Sequence, residues 1–134
     1  ILTGDAFANR IYGGLGKDTL SGGAGRDVFV FNTKLNAKTN VDKITDFNVK
    51  DDTIWLDNAI FRKLGKGSLD KPGKLNKAFF AIGAEAKDKN DYLIYDPSKG
   101  TLAYDADGSG SNKAIAFATI GPKHKLTAAD FMVI

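Results

Sequence analysis

Leu2, Ile11, Leu20 and Phe29 recur at steps of nine, and they frame two full copies of one unit. The copies read Gly13-Gly14-Leu15-Gly16-Lys17-Asp18-Thr19-Leu20-Ser21 and Gly22-Gly23-Ala24-Gly25-Arg26-Asp27-Val28-Phe29-Val30. Each unit is a glycine-rich turn ending in aspartate, followed by three residues in which only the middle one faces inward. Leu20 and Phe29 point one way, and Thr19, Ser21, Val28 and Val30 point the other, which is the two-residue period of a short strand. Two nonapeptides make one coil, so turns eighteen residues apart stack on the same edge of a parallel solenoid, about 4.8 Å apart. The segment Gly4-Asp5-Ala6-Phe7-Ala8-Asn9-Arg10-Ile11-Tyr12 keeps the register in degraded form, with Asn9 as the sixth-position oxygen donor.

Such a turn suits a hard cation. Glycine reaches positive φ at little steric cost, so the turn can aim its carbonyl oxygens at one point. The predicted donors are the backbones of Gly13, Gly14, Leu15 and Gly16 with Asp18, and those of Gly22, Gly23, Ala24 and Gly25 with Asp27. Calcium takes six to eight oxygens in flexible geometry, and carbonyls with carboxylates supply them. Asn9 is expected to stack beneath Asp27. Asp18, on the other edge, needs a partner from Asp42, Asp46, Asp51 or Asp52. Stacked carboxylates repel without a counterion, and short strands with glycine turns bury little surface against chain entropy. Calcium-driven folding of this half is the expectation.

These repeats resemble those of the RTX (haemolysin-type calcium-binding) family, secreted bacterial proteins that include the tails of serralysin-type proteases and alginate epimerases. Asp42-Lys43-Ile44-Thr45-Asp46-Phe47 and Asp52-Thr53-Ile54 are similar to the way such tails leave their last repeat. The resemblance gives Asp42 and Asp52 roles as ligands of the last ions, with a further oxygen from the loop 32–40, Asn36 being the candidate. Tyr92 to Ala118 resembles the antiparallel hairpin that follows. The resemblance implies an all-β fold: a short parallel β-roll over 1–56, then an antiparallel β cap over 57–134 with one or two short helices. It also implies Ca2+ as cofactor, a secreted, extracellular protein, and a carboxy-terminal signal read by a type I secretion apparatus. Asp130-Phe131-Met132-Val133-Ile134, an acid followed by four apolar residues, fits that signal and equally a last strand. Two departures stand out: the repeats are few, and the chain is basic where such tails are usually acidic.

The excess of three positive charges is local. Residues 61–77 hold Arg62, Lys63, Lys66, Lys71, Lys74 and Lys77 against Asp70 alone, so the rest of the chain is slightly acidic. A solvated loop is the plainer reading of that segment. The other is a patch for an anionic polysaccharide or cell surface, working with the roll face. Nucleic acid is not expected, because no aromatic residues interleave the lysines. With no cysteine there are no disulfides, thiolate metal sites or thiol nucleophiles. No apolar run reaches membrane-spanning length. Ile1 falls in what reads as the last strand of an earlier repeat, so a longer parent protein is expected.

No catalytic constellation emerges. His124 is the single histidine, which excludes multi-histidine metal sites, and the Gly-x-Ser-x-Gly elbow of hydrolases is missing. The chain is read as a non-catalytic module. Residues 57–64 predict a short helix capped by Asp57 or Asn58, and 65–77 a loop. Phe79 to Ile82, Tyr92 to Tyr95, Thr101 to Tyr104 and Lys113 to Ala118 predict strands. Thr127 and Asp130 have capping-box spacing. Asp105 and Asp107 start a segment read as a hairpin turn rather than a metal loop, for it lacks the closing glutamate of such loops.

Overall fold

The computed structural model describes residues 2–36, 38–68, 70–83, 91–106, 114–121 and 124–134. The nonapeptide period builds two parallel sheets that alternate along the chain. Strands β1 (Leu2–Thr3), β3 (Thr19–Ser21) and β5 (Asp42–Ile44) stack in one. Strands β2 (Arg10–Tyr12), β4 (Val28–Phe31) and β6 (Thr53–Leu56) stack in the other. Ile11, Leu20, Phe29, Ile44 and Ile54 all face the space between the sheets and are buried. The pairing Ile11–Phe29–Ile54 keeps one apolar side chain above the next, because a strand turns every second residue to the same face.

The second half is mixed rather than wholly antiparallel. Strands β9 (Leu93–Asp96), β10 (Thr101–Tyr104) and β11 (Ile115–Thr119) form the expected meander, with an irregularity between Leu102 and Ala103. β11 then pairs in parallel with β5, and β12 (Phe131–Val133) pairs in parallel with β6. Both roll sheets therefore run on past residue 56, giving, among the described residues, seven strands in one and five in the other. The chain's last apolar run is a strand because parallel pairing lets Phe131 and Val133 continue the inward rows of Ile54 and Leu56. β8 (Phe80–Ile82) lies parallel beside β9.

The fold is all-β, and the three helical elements among the described residues are single 3-10 turns. The helix expected over 57–64 shrinks to Arg62–Leu64, preceded by a turn in which Asp57 accepts the Ala59 N–H at 2.8 Å. Phe61 and Leu64 are both buried, which a tight turn achieves without a full helix. The loop expected over 65–77 contains a two-residue strand, β7 (Gly73–Lys74), paired antiparallel with β12. At Ala128–Asp130 the expected capping box is present, with Thr127 and Asp130 each bonding the other's backbone. The turn from Asp107 to Asn112 lies outside the described residues. One apolar cluster joins the halves. Its centre is a chain of edge-on rings, Phe31 to Phe117 at 5.1 Å, Phe117 to Phe61 at 5.0 Å and Phe61 to Tyr104 at 5.2 Å. Each such contact adds about 0.5–1.5 kcal/mol beyond the area it buries.

Candidate metal centre

The two full turns share one backbone pattern. The second and fourth glycines, Gly14 and Gly16 in one turn and Gly23 and Gly25 in the next, all have positive φ between 76° and 102°. Any other residue would be strained there. The first glycine of each is needed for a different reason: a side chain at Gly13 would run into Asp42 Oδ2, and one at Gly22 into Asp27 Oδ2.

Sixth-position residues form a ladder from coil to coil. The Asn9 N–H donates to Asp27 Oδ1 at 2.9 Å, the Asp18 N–H to Asp42 Oδ1 at 3.0 Å, and the Asp27 N–H to Asp52 Oδ1 at 3.0 Å. Their carbonyls accept from the following strands, at Val28, Lys43 and Thr53. The structure thus brings Asp18 together with Asp42 on one edge, and Asn9, Asp27 and Asp52 on the other. The sequence interval stretches from 18 residues to 24 and 25 at the later rungs. Loops 32–40 and 46–51 are inserted there, yet the bond stays the same.

Among the described residues, two buried side-chain oxygens lack any hydrogen-bond partner: Asp18 Oδ2 and Asp27 Oδ2. Both belong to the nonapeptide aspartates. Burying a carboxylate oxygen unpaired is costly, and both are placed beside glycine turns rich in carbonyls. No cluster of three or more acidic, histidine or cysteine side chains occurs among the described residues. The donor set is therefore paired carboxylates with backbone oxygens, which fits calcium and not a soft or nitrogen-loving metal.

Electrostatics favour a cation too. Burial pushes the Asp42 carboxyl up to about 6; the Asp18 N–H holds it down, while the Asp18 charge pushes it further up. Burial likewise raises Asp52 against the Asn48 and Asp27 N–H groups, with the charges of Asp27 and Asp46 adding to the rise. A folded value above the ordinary 3.8 means that protonated Asp42 stabilises the metal-free fold at low pH. That contribution disappears as pH rises through about 6. Calcium must displace that proton, so the calcium concentration needed for folding is expected to rise as pH falls below about 6, read by far-ultraviolet calcium titrations on both sides of that value.

Asp46 does something the sequence did not reveal. Its carboxylate accepts the Gly22 N–H at 2.9 Å, the Gly23 N–H at 2.8 Å and the Ser21 hydroxyl at 2.8 Å. Burial works to raise it, but those bonds outweigh burial and leave it lowered. Asp46 therefore holds the 22–27 turn from its amino end and is not the partner of Asp18. Replacing it with alanine should cost about 1–2 kcal/mol, since the site is exposed, and leave the number of bound calcium ions unchanged by isothermal titration. Asp51 lies 3.4 Å from the Asn48 amide and takes no part in the ladder. Asn36 Oδ1 accepts from Lys38 and Thr39, closing a local turn. The signal for Asp46 was its place four residues after Asp42, but only the coil geometry shows which edge it serves.

The first turn is built differently. The Asp5 N–H donates to Asn9 Oδ1 at 2.8 Å, and Asp5 Oδ1 accepts the Phe7 N–H at 2.9 Å and the Asn9 amide at 3.2 Å. Side chains there do the closing that glycines and a carboxylate do in the later turns.

A family model of the RTX calcium-binding nonapeptide repeat matches residues 1–29, in four copies. No curated protein matches the chain at a significant level. Residues 1–29 are thus RTX calcium-binding nonapeptide repeats, and the ion that they bind is Ca2+.

Proposed function

We propose that this chain is the calcium-folded carboxy-terminal module of a larger secreted RTX protein, exported by a type I apparatus. The observation that carries the reading is the pair of orphaned oxygens on Asp18 and Asp27 at the two edges of the roll. On one edge Asp18 and Asp42, with carbonyls from Gly13, Gly14, Leu15 and Gly16, would hold an ion. On the other, Asp27 with Asn9, Asp52 and carbonyls from Gly22, Gly23, Ala24 and Gly25 would do so. Bound calcium supplies the positive charge that lets these carboxylates stack; the chain supplies the oxygen positions. Residues 1–56 act as the calcium-bearing coils. Residues 57–134 act as the cap that covers the last coil and its strand edges.

Export follows from ion supply. Where calcium is scarce the coils stay loose and threadable, and where it is plentiful they close. In the folded chain Phe131, Val133 and Ile134 are buried, so the export apparatus would read the terminal run before folding. No helix among the described residues is long and apolar enough to cross a membrane. Far-ultraviolet spectra should change between chelator and millimolar calcium; identical spectra would overturn the calcium-folding reading. A reporter fused ahead of the chain should leave cells that carry a type I apparatus and stay inside when residues 130–134 are scrambled. Export that ignores the scrambling would overturn the signal.

A further inference from the structure

Each full glycine turn is tied at its second glycine to a segment inserted further along, but through opposite ends of the peptide group. Gly23 is held by its N–H, which donates to Asp46 at 2.8 Å. Gly14 is held by its carbonyl, which accepts the Thr33 hydroxyl at 3.3 Å. Asp46 leaves the Gly23 carbonyl untouched, whereas Thr33 acts directly on an oxygen assigned to the Asp18 edge. Packing does not fix that oxygen. Gly14 has a φ of 76°, and nothing lies within 4 Å of where its side chain would begin. A cleft of about 420 Å³, lined by Leu15, Gly16, Leu35 and Asn40 among others, lies between the turn and the loop 32–40. The Thr33 contact spans two segments that otherwise stand apart.

Asn40 sets the direction of the Thr33 hydroxyl. It is the one buried amide side chain among the described residues, at 7% exposed. Its amide nitrogen donates to the Lys34 carbonyl at 2.8 Å and to Thr33 Oγ1 at 2.9 Å. A carbonyl only accepts, so the nitrogen of the amide, and not its oxygen, must face this way. Thr33 Oγ1 therefore accepts from Asn40, and its single proton is left to donate to Gly14. The Asn40 N–H donates to the Asn36 carbonyl at 2.9 Å, which closes the loop on itself. Two residues later Asp42 accepts the Asp18 N–H. One loop thus ties the glycine turn to the carboxylate that faces it.

We propose that Thr33 and Asn40 are positioning residues for the Asp18–Asp42 ion site. They aim the Gly14 carbonyl before an ion arrives. A carbonyl oxygen has two lone pairs, so Thr33 engages one and leaves the other for the ion. Partners that orient a ligand in this way are worth about 10–100-fold in metal affinity. The loop contributes orientation and not the extra ligand expected from Asn36, whose Oδ1 is taken by the Lys38 and Thr39 N–H groups. The Asp27 edge, steadied through N–H groups, does not depend on Thr33. This inference rests on the calcium reading of the Asp18 edge.

The test uses the full chain. Thr33→Val keeps the side-chain shape and deletes the hydroxyl, and Thr33→Ser keeps the hydroxyl. Calcium titrations followed by far-ultraviolet circular dichroism should place the Thr33→Val folding midpoint about tenfold above the parent, with Thr33→Ser near the parent. Asn40→Ala should shift it in the same direction. Lost stability alone also raises a midpoint, so a second readout looks at the ion itself. With cadmium-113 in place of calcium, NMR of the parent should give a separate signal for each edge. Thr33→Val should move one signal and leave the other in place; Thr33→Ala serves if Thr33→Val does not fold. A raised midpoint with both signals unmoved would reduce Thr33 to a stabiliser of the loop and overturn the proposal. An unchanged or lowered midpoint would overturn it as well. A parent that neither responds to calcium nor gives a cadmium signal would sink the calcium reading itself, whereas the other two results sink this inference alone.

Discussion

Replacing Asp27 with alanine is expected to raise the calcium concentration at the folding midpoint about tenfold or more, with Asp18→Ala giving a smaller rise. Asp27 is 1% exposed and is tied into the ladder three times. Its Oδ1 accepts the Asn9 N–H, its own N–H goes to Asp52, and its carbonyl accepts the Thr53 N–H. Alanine removes a charged ligand, and affinity in oxygen sites follows ligand charge. It also leaves the Asn9 N–H without its acceptor, a loss of about 1–3 kcal/mol where water is excluded. Asp27→Asn separates the two effects, because it keeps an oxygen for Asn9 while deleting the charge. Calcium titrations followed by far-ultraviolet circular dichroism should order the midpoints as parent, Asp27→Asn, Asp27→Ala. Coincident midpoints would contradict the role of Asp27 as a ligand.

Deleting residues 131–134 should abolish cooperative folding even in saturating calcium. β12 lies between β6 and β7, and the Ile134 N–H and carbonyl bond Leu56 and Asn58. Phe131 and Val133 are fully buried and Ile134 nearly so. Three such side chains are worth about 1.5–3 kcal/mol each, and a domain has only about 5–15 kcal/mol in total. The deletion also bares Ile54 and Leu56 on an unpaired edge. Differential scanning calorimetry with calcium should show no cooperative transition, whereas Met132→Ala, on the outer face, should unfold near the parent temperature. A shortened chain that melts normally would show the terminal strand to be dispensable.

Legibility along the chain followed the periodic signal. From Leu2 to Val30 each inward apolar residue, each positive-φ glycine and each sixth-position donor could be assigned by counting nines. Past Phe31 the count fails, since the loops before Asp42 and Asp52 have their own lengths. Four aspartates then competed for one place. A carboxylate's type and rough position do not say which edge it reaches; that needs the coil around it. Asp46 illustrates the point: a fixed number of residues after Asp42, it serves the opposite edge of the roll. The apolar run at 131–133 was readable as a strand, but not as a parallel neighbour of β6, because its partner lies more than seventy residues upstream.

Local chemistry in the sequence decided the coil: glycines where φ must be positive, an oxygen donor at the sixth position, and one inward side chain per strand. Those choices act between residues a few bonds apart, so they can be read in a line. Which carboxylates face each other, which oxygens are left without a hydrogen-bond partner, and which aromatic residues line one face are matters of long-range packing. Only the closed pair of sheets decided them, because burial and register are properties of neighbours that the linear order keeps apart.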